Sequence, residues 1–244
     1  MKSRFLLPIP ILALLIAAGA LFLTRGSGPS GGSAEASAQV AAAFVKIQDL
    51  KSFTMRQSTV TFSGGDFFEV EQQMTIELPD RGYGTTTVDG RSNEIVILGN
   101  RVFTREPTLP WQETTLTALG IDPESLYRTD QQAFLPDELV VLGEVTENGR
   151  EMIHYHARLD GQDLLDLLDE VFLEDSKIRD VFSRVDIKEL EVDYLLGKDD
   201  QLPYRATVQM KMKLDGREFK TLSEVEYFDF NLPLELPADL PLTP

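Results

Sequence analysis

A chain of 244 residues, 42% of them hydrophobic, is long and apolar enough to bury the core of one or two domains. Of its 23 Lys+Arg, three (Lys2, Arg4 and Arg25) precede the first acid, Glu35. The body beyond them sets 20 basic residues against 40 acidic ones, a charge of −20 compared with −17 for the whole chain. Such a body repels phosphate backbones, which excludes DNA and RNA as partners. The absence of Cys excludes disulfides, thiol catalysis, thiolate metal sites and lipidation on Cys.

The N-terminus comes first. Lys2 and Arg4 precede an uncharged apolar run from Phe5 to Leu23. A signal-peptide core takes about 7–15 residues and a bilayer span about 20, so the run has spanning length. Pro8 and Pro10 fall in its first turns, where a helix tolerates them best. Positive charge ahead of the run orients the N-terminus to the cytoplasm and the body to the outside. Ala36-Ser37-Ala38 has the form of a cleavage site but lies far beyond the run, and cleavage after Ala18-Gly19-Ala20 would leave Leu21-Phe22-Leu23 at the new terminus. The expectation is an uncleaved signal anchor over residues 1–25 in the cytoplasmic membrane. A Gly/Ser/Ala linker follows over 26–38, of the composition that makes flexible tethers, and then one body over 39–244.

The body opens with a helix from Ala34 to Leu50, on the helical spacing of Val40, Phe44, Ile47 and Leu50. Short runs separated by turn residues follow: Phe53 to Phe62, Phe67 to Leu78, Tyr83 to Val88, Glu94 to Leu98 and Arg101 to Arg105. Asp89-Gly90 and Gly99-Asn100 between them are tight-hairpin chemistry. Asp122 as N-cap with Pro123 at the first helical position starts a second helical patch. Glu138 to Glu147 and Glu151 to Leu159 make a hairpin across Asn148-Gly149, and a third helical region runs from Gln162 to about Val185. Lys188 to Leu196, Leu202 to Leu214 and Arg217 to Phe230 close the chain as long strands. The fold class is therefore mainly β, with about ten antiparallel strands and three helical patches.

Alternation assigns the dry face. Phe68, Val70, Met74 and Ile76 share one side of their strand with Gln72 and Leu78. Leu190, Val192, Tyr194 and Leu196 share a side of theirs, as do Tyr204, Ala206, Val208, Met210, Met212 and Leu214. Leu164, Leu168 and Phe172 lie on the apolar arc of the third helical region, opposite Asp163, Asp166 and Asp169. Three short helices do not cover the concave side of ten strands, so either the sheet closes on itself or an apolar hollow remains. Met74, Met210 and Met212 serve equally as core filling or as a deformable pocket lining. Trp111 is a core plug or a rim residue.

This order of elements resembles the LolA-like superfamily and, within it, the mycobacterial-type LppX/LprG lipoproteins. The matching stretches are "DLKSFTM", "ELPDRGYG", "GRSNEIVILGNRVFTRE", Trp111 and the terminal "EVEYFDFNLPLELP", spread over roughly Ala38 to Pro237. The resemblance implies a curved antiparallel half-barrel whose concave face, lidded by helices, holds acyl chains. Relatives carry or sense lipids or lipoproteins. They are commonly anchored by a lipidated Cys, which this chain lacks, so Phe5 to Leu23 would do the anchoring.

Catalytic and metal constellations are few. His154 and His156 project from one face of a strand, the wet one, and a zinc site there would need carboxylates to complete it. The acids between Asp163 and Asp175 follow no calcium-loop spacing. G-x-S-x-G and phosphate-loop motifs are absent, and two His leave little room for a triad. No catalytic residue, metal or cofactor is assigned. The expected function is an extracytoplasmic, membrane-anchored protein holding lipid or acylated molecules in transport or handling at the cell envelope. The alternative is an envelope sensor or assembly module that binds an exported protein. The basic residues Arg81, Arg101, Arg105 and Arg128 are candidates for a less negative mouth.

Overall fold

The computed structural model describes residues 32–119, 139–160 and 185–242. The predicted helical patches at Asp122 and Gln162, the apolar run Phe5 to Leu23, and Arg128 lie outside them.

Helix α1 spans Gly32–Gln48, with Glu35 in its first turn and Lys46 in its last, each favourable to the helix dipole. It begins inside the stretch read as tether, and Ala36 there is already buried. Eleven strands follow among the described residues: β1 (Ser52–Ser63), β2 (Asp66–Glu77), β3 (Arg81–Val88), β4 (Arg91–Leu98), β5 (Arg101–Arg105), β6 (Gln112–Thr115), β7 (Val140–Glu147), β8 (Arg150–Asp160), β9 (Val185–Gly197), β10 (Pro203–Leu214) and β11 (Arg217–Phe228). The strand missing from the sequence reading is β6. Its Gln-Glu-Thr-Thr has no apolar periodicity, and it forms by pairing to β5.

All pairings are antiparallel, in the order β6-β5-β4-β3-β2-β1-β11-β10-β9-β8-β7. Two meanders, β1 to β6 and β7 to β11, join through β1 and β11. The sheet ends at β6 and β7 and is open. Tight turns set the registers: Asp89-Gly90 and Asn148-Gly149 both hold positive φ at their two central residues (47° and 77°, 51° and 78°), the conformation that matches the strand twist.

Alternation then builds continuous inward rungs. Val88, Val70, Thr59, Ser223, Val208, Val192 and Ala157 stand side by side across β3, β2, β1, β11, β10, β9 and β8. The next rung in one direction is Thr86, Gln72, Gln57, Val225, Ala206, Tyr194 and Tyr155. In the other it is Phe68, Thr61, Thr221, Met210 and Leu190. Helix α1 lies on this inward face. Phe44 meets Tyr194 and Tyr227 edge-on at 5.7 and 6.3 Å, Tyr155 donates its hydroxyl to Gln39 at 2.7 Å, and Lys46 donates to Gln201 in the β9–β10 turn at 2.7 Å.

On the outer face a smaller core forms from Val96, Phe103 and Leu240, with Tyr83, Trp111 and Leu236 against it. The C-terminal tail is thus held over β4 and β5.

Candidate ligand-binding face

The inward rungs from Phe68 to Ile76, and their continuations through β1 and β11 to β8, carry no charged side chain. The α1 contacts named above fall towards the Tyr155, Tyr194 and Tyr227 end. The Val70 and Phe68 rungs continue from there towards the β1–β2 and β10–β11 turns.

Most residues expected to line a hollow stand on this face. Val70, Met74, Leu190, Val192, Tyr194, Val208, Met210 and Met212 are buried, while Phe68 and Ile76 are half-buried. Leu164, Leu168 and Phe172 lie outside the described residues. Tyr204 departs from its expected place. Between Pro203 and Arg205 the β9–β10 register shifts: Pro203 stands opposite Leu196 and Arg205 opposite Leu195, leaving Tyr204 as the extra residue of a bulge. Pro203, fully buried, takes the inward position. Tyr204 meets Phe230 edge-on at 5.4 Å, carries Arg150 over its ring at 3.7 Å, and donates its hydroxyl to Asp200 at 2.5 Å.

Sequence reasoning overlooked the centre of the face. Gln57, Thr59, Thr61, Thr221 and Ser223 are polar, buried and inward. The Gln57 amide donates to Thr59 Oγ1 (2.9 Å) and Ser223 Oγ (3.2 Å); the Thr59 and Ser223 hydroxyls are 2.8 Å apart, and those of Thr61 and Thr221 3.1 Å. Two buried atoms here have no hydrogen-bond partner among the described residues, Gln57 Oε1 and the Tyr227 hydroxyl. Burial pushes the Tyr194 and Tyr227 phenols well above their ordinary range, and for Tyr227 the neighbouring Tyr194 adds to this, so both are neutral donors at any physiological pH.

The outer face is charged. His154 Nε2 and His156 Nδ1 lie 2.8 and 3.0 Å from the same oxygen, Asp193 Oδ1, so one carboxylate serves both rings. Among the described residues no three ligating side chains are arranged to hold a metal ion. Arg205 bonds Glu147 at 2.9 Å and Lys198 bonds Glu144 at 2.7 Å. Of the expected mouth cations, Arg81 pairs with Glu77, Arg101 with Glu113, and Arg105 with Glu94 and Asp239. They neutralise local acids rather than gathering at a rim. Trp111 lies under Arg105, 4.3 Å from the guanidinium, and donates to Asp239 at 3.4 Å, which makes it part of the clamp on the C-terminal tail. A cleft of about 330 Å³ opens on this face among Arg56, Arg150, Tyr204 and Arg205. Among the described residues no helix is long and apolar enough to cross a membrane.

No family model and no curated protein matches the chain by sequence. Solved structures match it by superposition. The crystal structure of LprF from Mycobacterium bovis superposes with a TM-score of 0.52 at 11% identity, covering 87% of this chain and 99% of that one. LppX, a lipoprotein of Mycobacterium tuberculosis, gives 0.46 at 11% identity, over 82% of this chain and 97% of that one. The complex of MucA and MucB from Pseudomonas aeruginosa gives 0.34 at 12% identity, over 86% of this chain and 62% of that one. The chain shares the fold of LprF.

Proposed function

We propose that this protein binds lipid or acyl chains against the inward face of its sheet, outside the cytoplasmic membrane, and that it carries or handles them without catalysing a reaction. The observation behind this is the charge-free inward face of an open sheet. Its rungs beyond the α1 contacts carry Met210 and Met212, whose unbranched thioethers adapt to chains of differing shape. Each methylene buried there would contribute about 0.8 kcal/mol, enough for a long chain to hold by burial alone. The shared fold with LprF is consistent with this reading, and the lining is Phe68, Val70, Met74, Ile76, Leu190, Val192, Tyr194, Val208, Met210 and Met212. Uptake of an environment-sensitive fluorescent fatty acid by the full-length protein tests it. Saturable uptake, hardly weakened by salt, is expected; no uptake at any ionic strength overturns it.

Anchoring by Phe5 to Leu23 belongs to the same proposal. Because α1 starts at Gly32, the tether shortens to residues 26–31, with a reach of about 13 Å by the square-root rule for flexible chains. A body so held meets its own bilayer and no other. Cell fractionation with N-terminal sequencing tests this: a soluble species beginning near Gln39 would replace the fixed module with a shuttle.

A second reading, an envelope sensor or assembly module, draws on the −20 body and on Phe62, Phe67 and Leu222, apolar and exposed on the outer face, where an exported protein with a basic surface would cover them. Capture of such a partner that falls off steeply with salt would favour it over lipid uptake.

A further inference from the structure

On the outer face of a body whose charge is −20, one cleft gathers cations. It has a volume of about 330 Å³, and Arg56, Arg150 and Arg205 line it against two acids, Glu147 and Glu226. Two of these arginines start on strands far apart and are drawn together by aromatic rings. Arg150, on β8, lies over the Tyr204 ring on β10 at 3.7 Å, and Arg56, on β1, lies over the Phe228 ring on β11 at 5.1 Å. β10 and β11 are neighbours, with Arg205 opposite Glu226, so both guanidinium groups end beside that rung. The platform under Arg150 is held in place. The bulge turns Tyr204 out of the inward face, and Asp200 takes its hydroxyl. Its ring lies against Gly197, where a Cβ would fall 2.8 Å from it.

The hydrogen bonds of the three arginines differ. The Arg205 fork is taken, since Glu147 accepts from two of its nitrogens at 2.9 and 3.2 Å. Arg56 donates Nε to Gln73 at 3.2 Å, while Glu226 stands 3.6 Å from its Nη1, too far for a hydrogen bond. Arg150 has its ring contact and no carboxylate partner among the described residues. One carboxylate thus satisfies one fork, and the two forks carried on rings stay open. A phosphate monoester is a dianion with three terminal oxygens, which suits two guanidinium groups at once.

We infer that the cleft between Arg56 and Arg150 binds a phosphate monoester, borne by a small soluble molecule or by a lipid headgroup. The site lies on the opposite face of the sheet from the acyl-binding face and does not depend on it. The acidic surface around it excludes a polyanion, which needs many cations, whereas one phosphate needs these two.

The test is calorimetric titration of the full-length protein, kept in mild detergent, with glycerol 3-phosphate. A second arm compares dihexanoyl phosphatidic acid with dihexanoylglycerol, which differ only in the phosphate. Saturable binding of glycerol 3-phosphate assigns the site to soluble monoesters; a preference for the phosphatidic acid without it assigns the site to headgroups. Arg150→Gln and Arg56→Gln should each weaken the binding, or the preference, by at least about tenfold. Both side chains are exposed, so far-UV circular dichroism should not change. Arg158→Gln removes the same charge from the outer face outside the cleft, and should alter binding by less than about twofold. No binding of glycerol 3-phosphate together with no preference for the phosphatidic acid overturns the site. Binding that the Arg150 and Arg56 changes leave intact, or that Arg158→Gln weakens as much, overturns it too. Either result leaves the acyl reading standing.

Discussion

Thr59 and Ser223 face each other across β1 and β11 with their hydroxyls 2.8 Å apart, and the Gln57 amide donates to both. The two strands they stand on join the two meanders, so this polar contact sits on the seam of the sheet. Thr59→Val keeps the shape and removes one member. Its loss should cost about 1–2 kcal/mol in urea unfolding, since partners at 3% exposure or less lose a bond that water cannot replace. Adding Ser223→Ala should cost less than the sum of the single changes, and strict additivity would argue against the coupling.

A second consequence concerns β3. A Cβ at Gly84 would fall 2.2 Å from the Gln73 carbonyl oxygen and 2.8 Å from Met74 Cα, backbone atoms that cannot swing aside. At Gly82 the nearest atoms are 3.6 and 3.7 Å away, an ordinary contact. Gly84→Ala should therefore destabilise by about 3 kcal/mol, and Gly82→Ala by well under about 1 kcal/mol. Chemical denaturation of the pair checks the close approach, and similar losses at both positions would contradict it.

Much of the fold was legible because turn chemistry and alternation agree over most strands. Asp89-Gly90 and Asn148-Gly149 announce their hairpins, β9 and most of β10 bury the residues that period two assigns, and β2 buries Val70 and Met74 of its set. The exceptions have physical causes. In the second half of β1 the pattern inverts: Thr59 and Thr61 are buried while Phe62 is 52% exposed, because hydroxyls pairing across the seam satisfy the inward side. Hydropathy carries no trace of such partners. Tyr204 is displaced by one extra residue that only the pairing to β9 reveals. Trp111 was undecided because its partner, Asp239, is more than a hundred residues away.

The C-terminal clamp gives a pH signature. Burial alone would raise the Asp239 carboxyl, but its bonds from Arg105 and Trp111 outweigh this and hold it below the usual range; Glu113 is lowered by Arg101 and Glu189 by Lys211. Groups depressed in the folded state stabilise above their unfolded value, near 4, and lose that contribution as pH falls through the folded one. Trp111 is the single tryptophan, so its emission reports the clamp directly. A shift should accompany acidification below about pH 4. Asp239→Asn should produce much of it already at neutral pH. Emission insensitive to both would show that the tail is held by other means.

Alkali should act in the opposite sense. Tyr83, Tyr155, Tyr194 and Tyr227 are all raised, chiefly by burial. Their unfolded value is near 10, so the stability they contribute is complete below that and is lost as pH rises through the folded values. In a spectrophotometric titration of the six tyrosines, Tyr194 and Tyr227 should ionise only together with the loss of circular dichroism. Full ionisation ahead of unfolding would mean that these rings are open to solvent.

Native mass spectrometry of the full-length protein, kept in mild detergent, tests the central claim most directly. The acyl-binding account predicts an adduct of lipid mass that organic solvent extracts, and that Met210→Trp, which fills the inward face, diminishes. Protein that is ligand-free as isolated, and that acquires no adduct on incubation with lipid, would contradict the claim.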